Sequence, residues 1–257
     1  QQIHLIGHSF GGTTIRMLVQ LLTEGSPEEM AATDPEDISG LFTGGKGDWV
    51  KSVTTFCTPH NSSSIYYPIV YLGLADLVQF VSYAYAGIMG RSIFNGGLVD
   101  FHLEQFGSAD PYFKALRRVL ANRQDSCQYD LTPEGSMKVN KKLDINDDIY
   151  YFSYAFSTTK EVPLIGTQVP SIKTNPAIAP LAFVMGFLQF TDPINGTVYD
   201  KKWLTNDALV NTESAKFPLD EPHTDYDSNN INTGVWNVMP VQEGDHGTAI
   251  GLFADER

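Results

Sequence analysis

The chain has 257 residues, 42% of them apolar and 18% charged, an ordinary globular composition with enough length to bury a substantial core. Its 30 Asp and Glu outweigh 17 Lys and Arg, giving a formal charge of −13, so the surface repels phosphate backbones and nucleic acid is not expected as a partner. Two cysteines, Cys57 and Cys127, are too few for a disulfide framework, and Cys57, ending an apolar run, is expected to be a buried free thiol.

Residues 3–6 already read as a core strand, with no initiator Met and no signal-like segment ahead, so the chain is expected to be a piece of a longer protein. That strand runs into Gly7-His8-Ser9-Phe10-Gly11-Gly12. A helix is predicted at once, because Ile15, Leu18, Val19 and Leu22 recur at helical spacing and Gly25 is a good stop. Residues 26–48 are acidic and Gly-rich, which predicts a solvated connection. The β-branched run 50–56 is the next strand, ended by Thr58-Pro59-His60-Asn61.

From 64 to 90 the chain is mostly apolar and aromatic, with Asp76 as its only charge. Pro68, Asp76 and Gln79 argue against a membrane span, so a helical lid with an apolar face is expected there. Residues 100–145 look helical and polar. Residues 149–156 (I-Y-Y-F-S-Y-A-F) form an aromatic strand pattern, residues 176–190 are apolar between Pro and Gly, and 192–257 read as loops with short elements. Strands alternating with helices predict an α/β fold with no internal repeat.

The chemistry centres on Gly7-His8-Ser9-Phe10-Gly11. A serine hydroxyl is a poor nucleophile unless a base takes its proton and donors stabilise the oxyanion. A sharp strand-to-helix turn lifts Ser9 clear of the sheet and brings the positive end of a helix beside it; Gly7 and Gly11 are expected to give it room. The motif alone is common, and the strand before and amphipathic helix after are what give it weight. A phosphate-binding loop is disfavoured, since no Lys follows the glycines.

In this fold the acid and the His follow the Ser in that order. His4 precedes Ser9, and His8, beside it on the turn, faces the wrong way for a base. His60 ends a neighbouring strand, where it could line the pocket; His102 and His223 are expected on the surface. His246, in Gly244-Asp245-His246-Gly247, stands where the last member should come. For the acid, Asp207 sits on a turn before an apolar run, with Asp192 and Asp200 as rivals from spacing alone.

Taken together, the segments 6–16, 52–60, 203–212 (with Trp203, Asn206, Asp207 and Asn211) and 234–246 (with Trp236 and His246) resemble the secreted lipases of staphylococci and thermophilic bacilli, nearly end to end. The resemblance implies an α/β-hydrolase fold, here partial and starting at the nucleophile strand, as one domain over 1–257 with a lid and zinc subdomain inserted at about 64–145. It implies a secreted triacylglycerol lipase with Ser9, Asp207 and His246 as triad, acting on lipid esters at an oil–water interface, with the backbone N–H of Phe10 as one oxyanion donor. It also implies a structural zinc, for which Asp125 matches one ligand and the other three fall before residue 1. The family's calcium site has acidic residues at places held here by Thr248 and Phe253, although Asp255 stands nearby. A phospholipase, a short-chain esterase and an inert or lipid-binding relative stay open as alternatives.

Overall fold

The computed structural model describes residues 2–66, 127–193 and 196–251. Its frame is a five-stranded parallel sheet. The strands are β1 (Ile3–His8), β2 (Val50–Phe56) and β3 (Tyr150–Tyr154), followed later in the chain by two short ones, His223–Asp225 and Trp236–Val238. Their order across the sheet is β1, β2, β3, Trp236–Val238, His223–Asp225, with every pairing parallel.

Parallel neighbours need a crossover, and the first is α1 (Phe10–Thr23). Val19 and Leu22, from its predicted stripe, are buried against Val50, Val53, Ile149, Tyr151, Trp236 and Val238, while Ile15 and Leu18 pack at the margin. The helix stops as predicted: Gly25 takes φ 78°, open to glycine, and its N–H bonds to the Leu21 carbonyl at 3.0 Å.

Two predicted elements differ in detail. The connection 26–48 contains a short helix, α2 (Pro27–Ala32), whose Ser26 hydroxyl accepts the Glu29 N–H at 3.2 Å. Ser-Pro-Glu-Glu is a helix-start signature that its acidic, Gly-rich setting obscured. The aromatic strand 149–156 breaks at Ala155 into β3 and the two-residue strand β4 (Phe156–Ser157), which pairs with Gln242–Glu243 in a separate ladder.

Beyond β4 the chain makes an antiparallel hairpin of β5 (Thr159–Glu161) and β6 (Gln168–Pro170). The apolar stretch 176–190 supplies a helix, Ala179–Met185, that buries Leu181, Ala182 and Met185. Of the polar stretch 100–145, the described part holds two helices, Cys127–Asp130 and Pro133–Asn140. The lid expected at 64–90 lies outside the described residues except for its first three; Ile65 packs on Leu181 and Met185. Among the described residues no helix is long and apolar enough to cross a membrane.

Candidate active site

Ser9 occupies the single residue between β1 and α1. Its backbone is at φ 55° and ψ −133°, an unfavourable region for a residue with a side chain, and its N–H bonds to the Phe56 carbonyl at 2.8 Å. A Cβ on Gly7 would stand 2.6 Å from the Gly11 backbone, so glycine is required there. The second steric demand was expected at Gly11, but a Cβ there would meet open space; the crowded position is Gly12, against Thr58. Phe10 is the first helical residue, so its N–H has no carbonyl one turn below and is free of the helix ladder.

Asp207 and His246 come together. His246 Nδ1 lies 2.9 Å from Asp207 Oδ2, with both side chains buried. The carboxylate can only accept, so Nδ1 carries the proton and Nε2 of the neutral ring is left as an acceptor. Asp207 Oδ1 accepts the N–H groups of Leu209 at 3.0 Å and Val210 at 2.7 Å, and its carbonyl accepts the His246 N–H at 2.8 Å. The rival acids are engaged elsewhere: Asp200 caps the turn Lys201–Leu204 through the Lys202 N–H, and Asp192 is buried in the hairpin of Phe190–Thr191 with Val198–Tyr199.

The Ser9 turn is tied to this pair by its neighbour. His8 Nε2 donates to the His246 carbonyl at 2.8 Å, and the two rings are tilted with centroids 4.7 Å apart. Burial and the His246 ring lower the His8 pKa.

The sequence reading missed the place of Cys57. The parallel register sets His8 opposite Phe56, so the residues that follow, Ser9 and Cys57, leave the sheet side by side. Cys57 takes φ 51° and is fully buried, with its thiol beside the Asp207 carboxylate. Burial first, and then the Asp207 carboxylate, push the thiol well above its ordinary range. One ligand-capable atom from each of His8, Cys57 and His246 lies within 4.8 Å of the others. The signal was present in the pairing of two strand ends, but a single sequence does not show which strands pair.

His60 does not line this site. It is 1% exposed, with the Thr55 hydroxyl 3.2 Å from Nε2, Arg16 Nη1 3.4 Å from Nδ1 and its ring edge-on to Trp236. Arg16 also pairs with Glu221 at 2.5 Å, and Glu221 accepts the Trp236 indole N–H at 2.6 Å. Burial, then the Arg16 charge, hold His60 far below its ordinary pKa, so it stays neutral. His223 is exposed as expected, stacked on Phe217, while His102 lies outside the described residues.

The predicted zinc ligand Asp125 also lies outside the described residues, and His8, Cys57 and His246 are not the ligands the resemblance implied. For calcium, the Thr248 hydroxyl is already bonded to both the N–H and the carboxylate of Asp245, and it offers no charged oxygen. Phe253 and Asp255 are not described.

The family description "Lipase-like, C-terminal domain" matches residues 1–256. The chain is 33% identical over 265 residues to a lipase of Staphylococcus hyicus, covering 97% of this chain and 38% of that protein. It is 32% identical to Lipase 2 of Staphylococcus aureus, covering 98% and 36%. Among solved structures, EstA from Clostridium botulinum aligns with a TM-score of 0.79 at 34% identity, covering 98% of this chain and 61% of that one. The Staphylococcus hyicus lipase aligns with a TM-score of 0.72 at 30% identity, covering 98% and 64%. The chain thus spans little more than a third of the length of these curated relatives. With its parallel sheet, strand-turn-helix at Ser9 and near end-to-end match, the chain belongs to the staphylococcal lipase family.

Proposed function

We propose that the protein containing this chain is a secreted lipase that hydrolyses carboxylic esters of triacylglycerols through Ser9, His246 and Asp207. In this mechanism Ser9 Oγ attacks the ester carbonyl while His246 Nε2 takes its proton. The Phe10 N–H then donates to the oxyanion, and His246 returns the proton to the leaving alcohol. Water, deprotonated by His246, releases the fatty acid and frees Ser9. Asp207 holds the imidazole in the tautomer this sequence requires.

What carries the reading is the 2.9 Å bond from His246 Nδ1 to Asp207, made on a loop that His8 ties to the Ser9 turn. Lipase homology supports a lipid substrate, and the strained backbone of Ser9 supports a nucleophile. The reading includes a lid within 64–90 and a structural zinc with Asp125 as one ligand.

An active-site-directed fluorophosphonate tests it directly. The full-length protein is expected to be labelled at Ser9, and Ser9→Ala and His246→Ala should each abolish labelling and most turnover of an emulsified long-chain triacylglycerol. Labelling at another serine, or undiminished turnover by Ser9→Ala, would refute the assignment.

A further inference from the structure

Ester hydrolysis leaves Cys57 without a task. A thiol whose proton is held beside a carboxylate, in a fully buried position, is a poor nucleophile and a poor target for oxidation. It is nevertheless one corner of a compact group: the Cys57 sulfur and one nitrogen each of His8 and His246 lie within 4.8 Å of one another. The three arrive from separate segments, the end of β1, the residue after β2 and the loop before Thr248.

A sulfur and two imidazoles suit a borderline or soft divalent ion, with zinc foremost, and are wrong for calcium or magnesium, which take oxygen. Zinc binds such atoms at about 2.0–2.3 Å, which places tetrahedral ligands roughly 3.5 Å apart. The group as it stands is looser by about an ångström. The His8 Nε2 proton now serves one hydrogen bond, to the His246 carbonyl, which can be given up for a metal, and the Cys57 thiol stands beside the Asp207 carboxylate. His246 already has the outer partner that metal-binding imidazoles have, a carboxylate on Nδ1.

We propose that His8, Cys57 and His246 form an inhibitory site for a thiophilic divalent cation such as zinc, which withdraws His246 from ester hydrolysis. An ion on Nε2 occupies the lone pair that would take the Ser9 proton; an ion on Nδ1 displaces the bond to Asp207. Binding forms a sulfur–metal bond and releases the thiol proton to solvent, with no change of oxidation state. This site is separate from the one that would include Asp125. Its inhibitory role rests on the proposed esterase reading, but its metal chemistry can be read without turnover.

The experiment uses the metal-stripped full-length protein and Co²⁺ as a spectroscopic substitute for zinc. A near-ultraviolet thiolate-to-cobalt band should appear, should be displaced by Zn²⁺, and should be lost in Cys57→Ser, a variant of nearly equal volume. His8→Gln keeps the thiol and should weaken the site. Zn²⁺ should inhibit hydrolysis of a soluble short-chain ester, with reversal by a chelator. Each variant is compared with its own metal-free rate, and the zinc concentration for half inhibition should rise about 10–100-fold in both. A wild-type protein with no band, a band that persists in Cys57→Ser, or inhibition unchanged in both variants would overturn the proposal. A Cys57-dependent band in a protein that fluorophosphonate does not label would instead retain the metal site and sink the esterase reading.

Discussion

Asp207 holds His246 twice, once through each part of the residue. Its Oδ2 accepts from the imidazole Nδ1 at 2.9 Å and its backbone carbonyl accepts the His246 N–H at 2.8 Å. The main-chain bond fixes the loop whatever the side chain is, so the carboxylate can be altered without losing the imidazole's position. Asp207→Asn should therefore fold, while its amide group can donate to Nδ1 and stabilise the wrong tautomer. A fall in kcat of about 10⁴-fold on a soluble ester is expected, with little change in melting temperature. A loss below tenfold would leave Asp207 with a structural role only.

The glycines of the Ser9 turn should separate by steric demand. Gly7→Ala forces a methyl to within 2.6 Å of the Gly11 backbone, which cannot move aside as a flexible side chain would, and should cost about 1–3 kcal/mol. Gly11→Ala meets nothing within 4 Å, and inside a helix alanine is favoured over glycine by up to about 1 kcal/mol. Denaturant melts of the two variants should move in opposite directions.

Glu221 carries the buried ends of both Arg16 and the Trp236 indole. Glu221→Gln leaves a buried guanidinium without its counter-charge, so a loss of about 3–5 kcal/mol is expected. Replacing Arg16 by Met in the same chain should recover part of that loss. Equilibrium unfolding of the single and double variants measures the recovery.

His60 should give the protein a pH dependence that has nothing to do with catalysis. Its folded pKa is depressed, so below the ordinary histidine value of about 6.5 the unfolded chain binds a proton that the folded chain refuses. The stability that His60 supports is complete above that pH and drains away as pH falls, by up to about 1.4 kcal/mol per pH unit. Between pH 7.5 and 5, unfolding free energy should fall less steeply in His60→Gln than in the parent protein. Equal slopes would show that His60 titrates normally.

The strand-turn-helix around Ser9 and the strand Val50–Phe56 were legible because each is specified within a score of residues, by alternation, glycine and helical spacing. Asp207 and His246 were legible only through chain order and resemblance, since the loop that joins them carries no periodicity. Trp236–Val238 lies near the middle of the sheet but is three residues long, too short for any period to register. His60 looked like a pocket residue because it ends a strand region; its burial depends on Arg16 and Trp236, distant in the chain. Cys57 was rightly expected to be buried and free, yet its contact with Asp207 spans most of the sequence and leaves no local trace.

The bond from His8 to the His246 carbonyl joins residues 238 positions apart, and this separation has a consequence for synthesis. At roughly 5–20 residues per second, the loop bearing His246 leaves the ribosome about 10–50 s after the Ser9 turn. During that interval β1 and β2 can pair while His246 is still unmade, so under the proposed mechanism Ser9 lacks its base. Contacts of such range also close late in folding, because the loop entropy must be met before they form. Any hydrolytic activity should consequently appear only with the last stage of renaturation, after the parallel sheet has regained its secondary structure.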